Sequence, residues 1–186
     1  MHLLGMTSSV RDVAMATSAI RSAAAGDTAE FARIVVAYHA DMVRVAYVVS
    51  GGSQDLADDA VQAAWAIAWH KLGSVRDPER LKAWLVSVAA NEARQLCRRR
   101  RRLAAVEIDV GGRDPAGSDP ADRADELDLE RALGHLSIED RALLALRYEA
   151  GLDSSEIGAL ARRPAATVRW RLARLVARLR KELADA

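Results

Sequence analysis

A single cysteine, Cys97, occurs in 186 residues, so neither an internal disulfide nor a cysteine-based zinc site can form. The four histidines (His2, His39, His70 and His135) are scattered and make no pair at metal-ligand spacing. No paired carboxylates, nucleophile elbow or phosphate-binding loop is present, which argues against an enzyme and against a bound cofactor. No apolar run approaches the ~20 residues of a membrane span. The first residues lack a basic segment followed by a long apolar one, which argues against a secretory signal. Aromatic residues make up only 4% of the chain. What is plentiful is alanine, 38 residues of it. Alanine loses little entropy in a helix and fills little core volume. The expectation is an all-α protein with thin cores, soluble and cytoplasmic.

The formal charge is +1, yet it is unevenly placed. Residues 91–102 carry six arginines against Glu92, for +5, and residues 162–181 carry seven arginines and Lys181, for +8. The remaining 154 residues therefore hold −12. Two cationic segments in an acidic background are the electrostatic footprint of a polyanion partner.

Residues 1–26 are weakly patterned and carry no assignment. Asp27 with Glu30 reads as a capping box. It opens a helix in which Phe31, Ile34, Val35, Tyr38, Met42, Val45 and Val49 recur at helical spacing until Ser50-Gly51-Gly52. A second helix runs from about Ser53 to Lys71, acidic at its start, with Trp65 and Trp69 four residues apart. Asp77-Pro78 is an N-cap followed by proline at the first helical position. The third helix carries Leu81, Trp84, Leu85, Val88 and Leu96 inward and runs into the arginine block, completing a lobe over 27–102. Residues 103–125 turn to Gly, Pro and Asp and read as a flexible linker. A second lobe, 126–186, starts with Leu127, Leu129, Leu133 and Leu136. Ser137 and Asp140 cap a helix holding Leu143, Leu144, Leu146 and Tyr148. Asp153 with Glu156 forms another capping box. The last helix follows Pro164 with Val168, Leu172, Leu175, Val176 and Leu179 as its apolar stripe. No strand pattern appears.

Two helices across a tight turn, the second densely basic, are the makings of a helix-turn-helix. Arginine forks onto guanine edges or pairs with phosphates. Residues 136–152, then Glu156-Ile157 and Thr167-Val168-Arg169-Trp170-Arg171-Leu172, resemble region 4 of the extracytoplasmic-function (ECF) sigma factors. Asp58-Asp59-Ala60-Val61-Gln62, Trp65, Ala68-Trp69, Ala83-Trp84-Leu85, Asn91 and Arg98-Arg99 resemble their region 2. The resemblance covers about residues 27–181.

It implies a region 2 helical bundle and a region 4 helix-turn-helix in an alternative sigma factor. Asp58, Asp59 and Gln62 match positions that dock the β′ clamp coiled coil of core RNA polymerase, and region 4 matches the part that meets the β flap. Trp84, Asn91, Gln95 and Arg98 match the helix that reads and opens the −10 promoter element. Thr167, Arg169, Trp170, Arg171 and Arg174 match recognition-helix positions facing the −35 element. An anti-sigma factor is an expected partner beside promoter DNA. Trp65, Trp69 and Trp84 read as core residues rather than stacking platforms, since they keep to the apolar stripes. Ala60, Ala63, Arg162, Arg163 and Trp170 depart from the family pattern. They predict adjusted polymerase docking, a strained turn and altered promoter specificity. The rival reading is a dimeric helix-turn-helix regulator that binds operator DNA without polymerase. Such a protein has no reason to carry Asp59, Gln62, Asn91 and Arg98 in one lobe.

Overall fold

The computed structural model describes residues 17–108 and 133–184, with side chains at 17–104 and 133–181. Most of the expected linker, together with Leu127 and Leu129, lies outside the described residues. Seven helices are named here: α1 (17–24), α2 (Thr28–Ser50), α3 (Gln54–Lys71), α4 (Leu81–Ile108), α5 (Ile138–Leu144), α6 (Ser154–Ala161) and α7 (Ala165–Ala184). No strand occurs among the described residues.

Helices α2, α3 and α4 pack on one another as the first lobe. Met42, Val45, Ala46 and Val49 of α2 are fully buried against Ala57, Ala60, Ala64 and Ala68 of α3 and Leu85, Val86, Ala89 and Ala93 of α4. Small residues let the three axes approach closely, so this core is thin and well filled. Phe31 packs edge-on against Trp65 and Trp69, at centroid distances of 5.8 and 4.8 Å. The Trp65 indole N–H donates to His39 Nδ1 at 3.2 Å. These two tryptophans therefore belong to the packing. Ile20 and Ala23 of α1 are buried in the same core, which gives part of the unassigned N-terminal stretch a structural role.

Local signals largely translate into structure, with three differences. Asp27 caps α2 by accepting from the Ala29 and Glu30 amides, but the capping box is not closed. Glu30 pairs instead with Arg33 at 2.7 Å, and the Asp27 amide goes to Ser22 O, an acceptor that α1 brings within reach. Helix α4 continues to Ile108, past the Leu103 where the linker was expected. Residues Ala145–Glu149 form a π-helical turn after α5. Tyr148, within that turn, is 62% exposed.

The second lobe buries Leu136, Ile138, Leu144, Leu152, Ile157, Val168, Leu172 and Leu175. Asp153 and Glu156 close a complete capping box on α6. The Glu156 and Ser155 amides hold the Asp153 carboxyl below the usual carboxylate range. Arg162 ends α6 at φ 52°, ψ 46°, the left-handed conformation that costs an L-residue roughly 1–2 kcal/mol. Arg162→Gly is accordingly expected to stabilise the protein by about 0.5–1 kcal/mol, after the entropy that glycine returns to the unfolded chain. A urea-midpoint comparison checks the sign.

The lobes are not separate bodies. Arg141 of α5 is 4% exposed, and its Nε donates to Val49 O at the C-terminal end of α2, at 2.9 Å. Its Nη1 donates to Leu133 O at 3.2 Å. Val49 O is one of the carbonyls a helix end leaves without an intrahelical donor, and a cation there also meets the negative end of the helix dipole. Burial lowers the Arg141 pKa from its ordinary value, opposed mainly by Cys97.

Candidate nucleic-acid interface

Asp77 accepts from the Glu79 amide at 3.0 Å, and Pro78 starts the 3-10 turn that feeds α4. This entry aims one face of α4 across α3. Between the two helices lies a cavity of about 420 Å³, lined among others by Trp84, Asn91, Gln95 and Arg98. All four expected −10 residues thus share one groove. Trp84 is also half-buried and packs on the core while lining the groove.

The groove's polar groups are held by neighbours. Arg94 Nη1 donates to Asn91 Oδ1 at 3.1 Å, and Gln95 Nε2 donates to Glu92 Oε1 at 2.9 Å. Arg98 Nη2 meets Glu139 Oε1 of the second lobe at 2.5 Å, with Arg94 Nη2 3.9 Å from the same oxygen. The hydrogen bond from Arg98 chiefly holds the Glu139 carboxyl below its ordinary range, against partial burial. Arg94 Nε is buried without a partner among the described residues. Arg99, Arg100, Arg101 and Arg102 are exposed and extend the cationic face along α4.

On α3, Asp58, Asp59 and Gln62 are exposed, and Asp58 accepts from Gln54 at 2.8 Å. Ala60 is fully buried. Its departure from the family pattern therefore acts through the core, while Ala63 is half-buried.

In the second lobe, Val168, Leu172 and Leu175 fix α7 to α6, and Thr167, Arg169, Trp170, Arg171 and Arg174 are exposed. They are not equivalent. Arg171 is clamped on Asp140 Oδ1, with Nη2 at 2.7 Å and Nε at 2.8 Å, while the other Asp140 oxygen takes the Ser137 hydroxyl at 2.7 Å. Arg174 lies over the Trp170 ring, its guanidinium carbon 4.7 Å from the centroid.

The turn between α6 and α7 is closed by the Arg163 amide donating to Gly158 O at 2.8 Å. A Cβ at Gly158 would lie 2.6 Å from Arg163 O, so only glycine lets the two helices meet this closely. Sequence reasoning passed over Arg141, Glu139 and Gly158, and read Asp140 only as a cap partner of Ser137. Arg141 carried a readable signal: it falls on the Ile138–Ala142–Ala145 side of its helix, among residues the fold buries. Among the described residues no three His, Cys, Asp or Glu side chains gather as a metal site, and no helix is long and apolar enough to cross a membrane.

Residues 34–103 match Sigma-70 region 2. A protein of Xanthomonas campestris pv. campestris, described as a probable RNA polymerase sigma factor RfaY, is 32% identical over 172 residues, which make up 87% of this chain. The chain spans 42% of that relative's length. The fold resembles CnrH in its complex with the cytosolic domain of CnrY (26% identity, TM-score 0.67, covering 91% of this chain and 98% of CnrH). It also resembles the sigma factor RpoE bound to the anti-sigma factor NepR from Bartonella quintana (26% identity, TM-score 0.69, covering 83% and 97%). The first lobe thus carries a Sigma-70 region 2 domain, and the chain resembles RNA polymerase sigma factors both in sequence and in the fold of its two lobes.

Proposed function

We propose that the chain is a dissociable subunit that lends promoter recognition to core RNA polymerase. Asp58, Asp59 and Gln62 dock the first lobe on the β′ clamp coiled coil. The α4 groove receives the −10 element, with Asn91 and Gln95 meeting extruded bases and Arg98 the backbone. Unstacking a base costs a few kcal/mol, which a polar pocket beside a cationic groove offsets. Helix α7 enters the major groove at the −35 element while the second lobe meets the β flap. The observation that carries this reading is the convergence of Trp84, Asn91, Gln95 and Arg98 on one groove, in a chain that also exposes the basic face of α7. RpoE and CnrH are held by an anti-sigma factor and by CnrY in their complexes, which supports an anti-sigma partner here. The neutralising Glu139–Arg98 contact then has to open before α4 meets DNA.

Transcription reconstituted with core polymerase tests the assignment. The paired change Asp59→Ala and Gln62→Ala is expected to weaken core binding about tenfold, ~1.4 kcal/mol. Asn91→Ala with Gln95→Ala should leave core binding intact and reduce permanganate-detected −10 melting. A free chain that shifts promoter DNA equally well with and without polymerase would instead favour the dimeric regulator.

A further inference from the structure

The outward face of α7 has an unusual make-up. At ~100° per residue, the side opposite the buried Val168, Leu172 and Leu175 carries Ala166, Trp170, Ala173 and Ala177, with Arg174 beside Trp170. All five are exposed. An alanine crest lets a helix sink deep into a groove. Arg169 stands to one side of this crest, and Arg171 and Arg178 stand to the other. Arg171 is clamped on Asp140, and Arg178 reaches back to His135 O at 3.4 Å. Flanking arginines at these angles face the walls of a groove, where the phosphates are. In the N-terminal half of α7, only Trp170 and Arg174 are both long and central.

Trp170 keeps 61% of its surface exposed. A large indole at the crest of a helix contributes nothing to this lobe's core. It does hold the Arg174 guanidinium over its face, which limits the rotamers of a side chain that would otherwise sweep freely. Guanine offers O6 and N7 to a guanidinium fork in the major groove, and thymine offers a C5-methyl to an apolar contact. The N-terminal half of a recognition helix, where both residues sit, is the part that reaches base edges.

We propose that Trp170 and Arg174 act as one specificity-determining reader, with Arg174 forking onto a guanine and the Trp170 edge covering the methyl of a thymine in a neighbouring base pair. This rests on the assignment of α7 to the −35 element. Arg171 is by contrast a positioning residue, tying α7 to α5 through Asp140.

The test uses holoenzyme reconstituted from the full chain and core polymerase, selecting from promoters randomised at −35. The wild type is expected to select a guanine with a thymine in an adjacent pair. Arg174→Lys should reduce the guanine preference at least tenfold, because an ammonium lacks the fork. Trp170→Ala should erase the thymine preference and relax the guanine preference, whereas Trp170→Phe should keep part of both. Replacing the selected thymine by deoxyuridine should cost the wild type about fourfold in affinity, the worth of one buried methyl, and cost Trp170→Ala nothing. A merely structural role would lower binding to all sequences alike, and circular dichroism of each variant checks the fold. If the wild type selects a −35 sequence and both Trp170→Ala and Arg174→Lys select the same one, the paired reader is overturned. If the wild type selects nothing at −35, the assignment of α7 falls first.

Discussion

Arg141→Met is expected to part the two lobes. The substitution keeps most of the side-chain length but removes the donors to Val49 O and Leu133 O. Hydrogen bonds from a charged donor contribute ~1.5–3 kcal/mol each, and the desolvation of a buried cation offsets part of that. A net loss of about 2–4 kcal/mol follows, concentrated at the contact between lobes. The Cys97 thiol, 3.9 Å from Val49 O, is too weak a donor to replace the guanidinium. Urea unfolding should change from one transition to two, and small-angle scattering should report a larger radius of gyration. Separation also removes Glu139 from Arg94 and Arg98, so salt-sensitive DNA binding by the free chain should rise. A single unshifted transition and an unchanged radius would show that Arg141 does not hold the lobes together.

Gly158→Ala sets helix propensity against packing. Propensity alone predicts a gain near 1 kcal/mol from replacing glycine inside a helix. The added Cβ, however, would sit 2.6 Å from Arg163 O and 3.4 Å from the Ala165 amide nitrogen, both backbone atoms at the turn into α7. Backbone cannot swing aside as a side chain does, so α6 and α7 have to move apart. Overpacking of this kind costs typically 1–3 kcal/mol, and a net destabilisation of about 1–2 kcal/mol is expected. The displacement also tilts the recognition helix, so binding that depends on −35 DNA should fall while −10 melting persists. Gly134→Ala is the control, since nothing lies within 4 Å of its added Cβ. It should be neutral or slightly stabilising in the same denaturation experiment, whereas Gly158→Ala lowers the midpoint.

These two residues also mark where reading the chain as a string stops. The apolar stripes of α2 and α7, the Asp77-Pro78 start and the Asp153–Glu156 box were all legible, because each depends on residues within about one or two turns. Trp84, Asn91, Gln95 and Arg98 were singled out by the family resemblance, and their separations of seven, four and three along α4 are what put them on one groove. Glu30 was misjudged for a physical reason: Arg33, one turn away, competes for its carboxylate, and α1 supplies Ser22 O to the amide it was expected to cap. The π-helical turn at Ala145–Glu149 interrupts the helix expected to hold Tyr148, and no local spacing announces it.

Helices α2 to α7, the two basic faces and the outward arginines of α7 follow from local spacing and charge, which act over a few residues and survive in any arrangement of the helices. The partners of those arginines do not. Arg98 and Arg171 look alike in the chain, yet one meets Glu139 across 41 positions and the other meets Asp140 across 31. Arg141 became an internal strut because the end of α2 needed a donor that lies 92 positions away. Such pairings are selected by the cost of leaving a buried carbonyl or a charge unmatched. That cost exists only once packing has removed the water.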